Sequence, residues 1–178
     1  MIRAAAAATA AFLLAGCATL APPPPAPAGE TLSGRLALRV AASPGQEARS
    51  MTASFELQGA PGRGRFALST PLGTMLAQAR WQPGQVVLST SQGETAYADL
   101  DSLTRDMLGE SLPVAALFDW LQGRPWSGAA SVPTSPPAAP GFRQLGWNVD
   151  LARFEEATIA AVREQAPVVT VRVKLDRP

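Results

Sequence analysis

The stretch MTASFELQ, at residues 51–58, shows most clearly the pattern that decides the fold of this chain. Its first, third, fifth and seventh residues are apolar, and the residues between them are polar. A period of two places the apolar side chains on one face of a β-strand and the polar side chains on the other. The stretch therefore predicts a strand with one dry face and one wet face, which is typical of antiparallel sheets.

The same alternation recurs on both sides of this stretch. The other runs are GRLALRV (34–40), GRFALS (64–69), MLAQARW (75–81), QVVLST (85–90), ETAYADL (94–100), QLGWNVDL (144–151) and VVTVRVKLD (168–176). Segments rich in Gly and Pro separate most of the runs, as they do in hairpins, and the proline-rich segment 127–142 predicts an exposed loop. We therefore expect a mainly β fold, an antiparallel sheet with one apolar face.

The segment DSLTRDMLGESLPVAALFDWLQG, at residues 101–123, departs from this period and predicts two short helices. Asp101 or Ser102 is suited to cap the first helix and Gly109 to end it. Pro113 suits the first turn of the second helix. We expect both helices to cover the apolar face of the sheet. The pattern does not decide between a filled core beneath them and a cavity for an apolar ligand.

The composition argues against several kinds of chemistry. The 178 residues carry a net charge of +1, so no basic field attracts nucleic acid. There is no histidine to act as a general base or metal ligand, and one cysteine cannot form a disulfide within the chain. We therefore expect no enzyme, no metal and no cofactor. A hydrolase is the rival interpretation, and it would depend on carboxylates such as Asp99, Asp101, Glu155 and Glu156.

The N-terminus predicts export and lipid attachment. Residues 1–16 combine one basic residue with a short apolar run, as in a cleaved signal peptide. The sequence LAGC, at residues 14–17, resembles a bacterial lipobox, which implies cleavage before Cys17 and acylation of that cysteine. The alternative is an ordinary secretory signal followed by an incidental cysteine. Lipoproteins with aspartate after the cysteine tend to stay at the inner membrane, so Ala18 favours the outer membrane by this resemblance.

Three parts of the chain follow from these patterns. After the signal peptide, residues 17–30 are rich in proline and predict an extended tether behind the lipid anchor. Residues 31–178 are expected to form the folded domain, in which the helices at about 101–123 cover the sheet.

Three ordered stretches resemble the LolB family of outer-membrane lipoprotein receptors. They are STPLGTMLAQARW (69–81), LTRDMLGESLPVAALFDWLQGRP (103–125) and LGWNVDLARF (145–154). The resemblance implies an unclosed antiparallel β-barrel, a half-barrel whose concave apolar face binds acyl chains under the helical lid. It also implies a function. The family accepts acylated lipoprotein cargo from the periplasmic carrier LolA and inserts it into the outer membrane without ATP.

This resemblance sets further expectations for the present chain. We expect a monomer on the periplasmic face of the outer membrane, anchored through Cys17 and in contact with LolA, cargo and outer-membrane lipids. The alternative function is that of a structural lipoprotein with a filled core, which would scaffold other envelope proteins.

The sequence TPLGT places a leucine at the tip of a predicted turn. Pro71 and Gly73 are typical turn residues, so Leu72 between them is expected to be exposed. The resemblance implies that this loop inserts into the membrane. The alternative is that Leu72 folds back onto the sheet.

The candidate residues for the acyl-chain cavity come from two arguments. The resemblance assigns Trp120 and Trp147 to the cavity. The period alone suggests Phe55, Leu57, Phe66, Leu117, Phe118 and Val171. Each of these side chains could instead belong to an ordinary packed core.

Overall fold

The computed structural model describes residues 29–176 of the chain. The expected signal peptide, Cys17 and most of the expected tether lie outside the described residues. Eleven strands and two α-helices make up the fold: β1 (Glu30–Val40), β2 (Arg49–Ala60), β3 (Arg63–Ser69), β4 (Met75–Gln82), β5 (Gln85–Thr90), β6 (Gly93–Tyr97), α1 (Leu100–Leu108), α2 (Val114–Trp120), β7 (Ser131–Pro133), β8 (Gly141–Gln144), β9 (Trp147–Asp150), β10 (Thr158–Arg163) and β11 (Val169–Leu175).

All eleven strands belong to one antiparallel sheet, in the order β6-β5-β4-β3-β2-β1-β11-β10-β9-β8-β7. The chain steps outward from β1 to the edge strand β6, crosses through α1 and α2, and returns from the opposite edge to β11. There β11 pairs with β1, with Leu38 opposite Val171. Because β6 and β7 do not pair with each other, the sheet is not closed. The expected mainly β, unclosed antiparallel fold with two short helices is confirmed.

The sheet curls around α2. Trp81 on β4 contacts Phe118 of α2, with the ring centroids 6.1 Å apart. Phe142 on β8 contacts Trp120, two residues further along the same helix, at 6.3 Å. In a flat sheet, strands seven positions apart would lie about 34 Å from each other. Both strands reach one short helix only because the sheet bends, so its inner face is concave.

The two ends of the sheet differ in what they carry. We call the end where β1 begins, with Glu30 opposite Gly59, the proximal end. The distal end is where β1 finishes, with Val40 opposite Arg49 and Val169. The eleven residues of β1 span roughly 33 Å between these ends.

Helix α1 has well-defined caps at both ends. Asp99, not the predicted Asp101 or Ser102, is the N-cap, and its carboxylate accepts a hydrogen bond from the Ser102 backbone N–H at 2.7 Å. The predicted strand 94–100 stops at Tyr97, which leaves Asp99 free to cap. Gly109 ends the helix in the left-handed conformation, as predicted, with φ 78°.

Two strand predictions need correction. The single strand predicted at 144–151 is a hairpin of β8 and β9, because Leu145 and Gly146 both have positive φ and form a two-residue turn. The exposed loop predicted at 127–142 contains β7 and the start of β8. The alternating pattern also did not reveal β10. Within residues 29–176, no helix is both long and apolar enough to cross a bilayer.

Candidate functional site

The loop between β3 and β4 carries Leu72 at its tip. This side chain is 96% exposed. The loop is closed by backbone hydrogen bonds from Thr70 N–H to Thr74 O at 2.8 Å and from Gly73 N–H to Thr70 O at 2.9 Å. Gly73 has φ 87°, and no atom lies within 4 Å of where its Cβ would stand, so the turn projects from the body. Leu72 therefore does not fold back onto the sheet.

Two further apolar side chains extend this exposed surface into β4. Met75 is 58% exposed and Leu76 is 43% exposed. The register between β3 and β4 shifts between Leu68 and Ser69, so the first residues of β4 leave the regular alternation. The loop and the first two residues of β4 together form an apolar projection at the distal end.

The eight predicted cavity residues lie on the concave face of the sheet or, for Leu117, Phe118 and Trp120, on α2, which packs against that face. Five of them are buried and three are half-buried: Phe55, Leu57, Phe118, Trp120 and Trp147 in the first group, and Phe66, Leu117 and Val171 in the second. Phe55 stacks on Phe66 with ring centroids 5.9 Å apart, and Trp120 lies 6.1 Å from Trp147. These residues therefore pack against one another and against α2 in this conformation.

A cavity of about 420 Å³, half open to solvent, lies between the lid and the distal ends of strands β9 and β10. This volume is within the range of small-molecule sites. Its apolar wall includes Leu100, Pro113, Val114, Trp126, Leu145 and Trp147, and its polar wall includes Asp101, Ser111, Arg163 and Gln165. Of the eight predicted residues, Trp147 lines this cavity.

An ion pair joins the lid to the sheet beside this cavity. Arg163 at the end of β10 pairs with Glu110, between α1 and α2, at 2.5 Å. Both side chains are less than one-fifth exposed. The Arg163 guanidinium also lies 5.9 Å from the centre of the Trp147 ring, a distance suited to a cation–π contact. Its Nε–H is buried and has no hydrogen-bond partner within the described part of the chain.

Gln144 is a second polar group on the concave face, and only 2% of it is exposed. Its Oε1 accepts hydrogen bonds from Trp120 Nε1–H at 2.8 Å and from the Trp126 backbone N–H at 2.9 Å. Its Nε2 donates to the carbonyl oxygens of Trp126 and Ala129, both at 2.7 Å. This amide therefore fixes the end of α2 and the segment after it to β8.

The sequence patterns did not identify Gln144, Arg163 or Glu110. Alternation assigns polar residues to the wet face, whereas Gln144 and Arg163 lie on the dry face. There Gln144 is hydrogen-bonded to Trp120 and to the segment after α2, and Arg163 pairs with Glu110. A signal was present in GFRQ, where Phe142 and Gln144 share one face of β8, but nothing in that spacing shows what the amide contacts.

Fold and site together define a lidded, unclosed β half-barrel. A family model described as outer membrane lipoprotein LolB matches residues 31–177. An outer-membrane lipoprotein LolB of Bordetella pertussis is 34% identical over 92% of this chain and 85% of its own length. One of Thiobacillus denitrificans is 36% identical over 86% of this chain and 84% of its own length. The chain therefore belongs to the LolB family.

Membership of this family confirms two of the expectations from the sequence. The protein is an outer-membrane lipoprotein, and its family serves lipoprotein localisation. The family is one of lipoprotein transport factors and is not known for an enzymatic activity.

Proposed function

We propose that this protein receives acylated lipoproteins from the periplasmic carrier LolA and inserts them into the outer membrane without ATP. Cargo acyl chains lie between the lid and the concave face, and the protein acts as a monomer anchored through Cys17. The observation that carries this proposal is the cavity of about 420 Å³ between the lid and strands β9 and β10. It supplies an apolar wall next to the packed concave face.

Entry of a whole acyl chain requires the lid to move. Phe118 and Trp120 of α2 are 5% and 2% exposed, and they occupy the space beneath the lid. Helix α2 has only seven residues, and its N-cap, Pro113, makes no side-chain hydrogen bond. Burial of each acyl CH₂ contributes about 0.8 kcal/mol, so a long chain can offset the loss of lid contacts.

Three polar links join α2 and the residues that flank it to the sheet, and they can break without disrupting the strands. Gln144 bonds to Trp120 at the end of α2, Arg163 pairs with Glu110 before α2, and Gln122 donates to the Glu30 carboxylate at 2.5 Å. Opening α2 breaks these links while the strand ladder beneath it stays intact. The lid is therefore the element expected to yield to cargo.

Transfer without a nucleotide requires affinity to rise at each step. The sequence has no phosphate-binding loop of the GxxxxGK type, so we propose no ATP-binding site. Cargo would pass from the carrier to the concave face, and then to the bilayer, where acyl burial is greatest. Insertion of Leu72 into lipid would bring the lid close to the membrane at the final step.

A second candidate function has one observation in its favour. Leu57, Val149 and Val169 beneath the lid are 0% exposed, which is the packing expected of a structural lipoprotein with a filled core. That function requires no lid movement and no binding of acyl chains.

A transfer assay distinguishes the two candidates. A complex of LolA with radiolabelled acylated cargo is mixed with vesicles of phosphatidylethanolamine and phosphatidylglycerol that hold the full-length lipidated protein. We expect cargo to move from the soluble fraction into the vesicle membrane, and vesicles without the protein provide the control. Cargo that remains on the carrier at the control level would refute the proposed function and favour the structural one.

A further inference from the structure

Exposed apolar side chains of the described residues are concentrated at the distal end. Seven large apolar side chains in this part of the chain are exposed. Val132, on the edge strand β7, lies opposite Arg143, one residue from the distal end of β8, and differs from the others in lying on a strand edge. The other six lie at the distal end: Leu72, Met75, Leu76, Met107, Leu145 and Val168. We call these six residues the distal apolar rim.

Separate connections of the fold contribute to this rim. Met107 lies in the last turn of α1, and its carbonyl oxygen lies 3.5 Å from Arg49 Nη1 at the distal start of β2. Leu145 lies in the turn between β8 and β9. Val168 lies in the turn between β10 and β11, where its carbonyl accepts from the Ala41 N–H at 2.8 Å. Loops distant in sequence thus place apolar side chains at the same end.

We propose that the distal apolar rim is a docking face for the lipid surface of the outer membrane, so that several loops enter the bilayer beside Leu72. This inference rests on the proposed function and adds to it the orientation of the whole domain. We assign a bilayer to the distal apolar rim because its apolar groups lie on separate loops, which suits contact with a flat, deformable surface. A peptide partner would need a continuous groove or a free strand edge.

Docking by this face would bring the cavity to the membrane. Leu145 belongs both to the rim and to the wall of the cavity, and Gln165, in the turn that carries Val168, lines the same cavity. A cargo chain that leaves the cavity between these two turns would therefore meet lipid without crossing water.

The length of chain before the described domain permits this orientation. Gly29 lies at the proximal end, and twelve Cα-to-Cα steps separate it from Cys17. Twelve steps reach at most about 40 Å, whereas β1 spans roughly 33 Å. An anchor at Cys17 can therefore lie in the same membrane surface that the distal end contacts.

Charge at this end gives no strong preference for an anionic surface. Glu47 and Arg49, beside the rim, have opposite signs, and Arg163 is paired with Glu110. We therefore expect docking to depend on apolar burial and to persist at high salt.

Depth-dependent quenching tests the docking face directly. Single cysteines replace Leu72, Met107, Val168 and, at the proximal end, the exposed Ala60 in turn in the full-length lipidated protein, whose Cys17 thiol is blocked by lipid. Each cysteine carries an environment-sensitive fluorophore, and the vesicles of phosphatidylethanolamine and phosphatidylglycerol contain lipids with a nitroxide on the acyl chain. We expect quenching at positions 72, 107 and 168 to exceed that at position 60 by about threefold or more. Unfolding curves of the four labelled proteins confirm that each is folded.

Each other outcome has a defined meaning. If only position 72 is quenched while positions 107 and 168 behave like position 60, the docking face is wrong and the insertion of Leu72 stands. If position 60 is quenched as strongly as the rim, the domain has no fixed orientation and the docking face is again wrong. If no position is quenched although cargo transfer proceeds, both the docking face and Leu72 insertion fail, whereas cargo receipt stands.

A double substitution gives an independent readout. Met107→Glu with Val168→Glu places two charges on the rim outside the cavity wall, and we expect cargo delivery to vesicles to fall at least about tenfold. Ala60→Glu, at an exposed position of the proximal end, is the control and is expected to deliver at the unmodified rate. Full delivery by the double variant would overturn the inference.

Discussion

Trp120 donates an indole hydrogen bond to Gln144 Oε1 across 2.8 Å, and this bond joins the end of α2 to β8. The same amide makes three further hydrogen bonds to the backbone of Trp126 and Ala129. Because Gln144 is buried, its removal leaves several donors and acceptors without partners and without water.

Substitution of this amide should therefore be costly. Gln144→Leu is expected to lower the free energy of unfolding by about 2–4 kcal/mol, measured by chemical denaturation. Gln92→Leu, at an exposed turn residue, is the control and should change stability little. A Gln144→Leu protein as stable as the unmodified chain would show that the amide does not hold the lid.

The ion pair between Arg163 and Glu110 should control local opening of the lid. Glu110→Gln leaves the largely buried guanidinium without its carboxylate, so we expect faster amide hydrogen exchange across residues 109–116. Glu156→Gln removes an exposed pair with Arg153 and provides the matched control, with no expected change in that segment. Equal amide hydrogen exchange in the two variants would show that the Arg163–Glu110 pair does not hold the lid closed.

Substitution of Leu72 separates the receipt of cargo from its delivery into the membrane. Leu72→Glu is expected to leave the unfolding curve and cargo receipt from LolA unchanged, because the side chain is 96% exposed. Delivery into vesicles should fall at least about tenfold, since a charged tip loses the apolar burial that a leucine gains. Ala60→Glu, at the exposed proximal end, serves as the control. Normal delivery by Leu72→Glu would remove the role assigned to this loop.

The cap of α1 predicts a dependence on acid pH. Hydrogen bonds from Ser102 lower the pKa of Asp99 from its ordinary value of 3.8. A carboxyl whose pKa is lower in the folded state stabilises the fold above its ordinary pKa, and this stabilisation is lost as the pH falls through the lowered value. Asp99→Asn keeps a capping oxygen without the charge, so its stability should fall less steeply below pH 3.8. Equal slopes in unfolding measurements would contradict this role of Asp99.

The sequence predicted those parts of the fold where burial follows a simple period. In β2, Phe55 and Leu57 lie on the dry face and the polar residues between them are more exposed, as the alternation indicates. The turn at Leu72 was also predictable, because Pro71 and Gly73 restrict the backbone locally. These features depend on residues that are neighbours in sequence, so the local sequence pattern predicts them.

The remaining features depend on contacts between distant residues. Leu145 is in phase with the apolar residues of β9, so the pattern suggests one strand where positive φ angles make a hairpin. Arg163 ends β10 on the concave face, where Glu110 and the Trp147 ring stabilise its charge. A polar residue on a dry face is acceptable only when distant partners satisfy it, and no local spacing reveals those partners.

The central claim is that the space beneath the lid accepts acyl chains, and a binding titration tests it most directly. Ala115 lines the cavity and is half-buried, so Ala115→Phe places a ring there, while Ala130→Phe adds the same ring at an exposed position. A fluorescent fatty acid is titrated into the unmodified protein and both variants, with an unlabelled fatty acid as competitor. We expect saturable, competed binding to the unmodified and Ala130→Phe proteins, with affinity at least about tenfold lower for Ala115→Phe. Binding that neither saturates nor responds to Ala115→Phe would contradict the account.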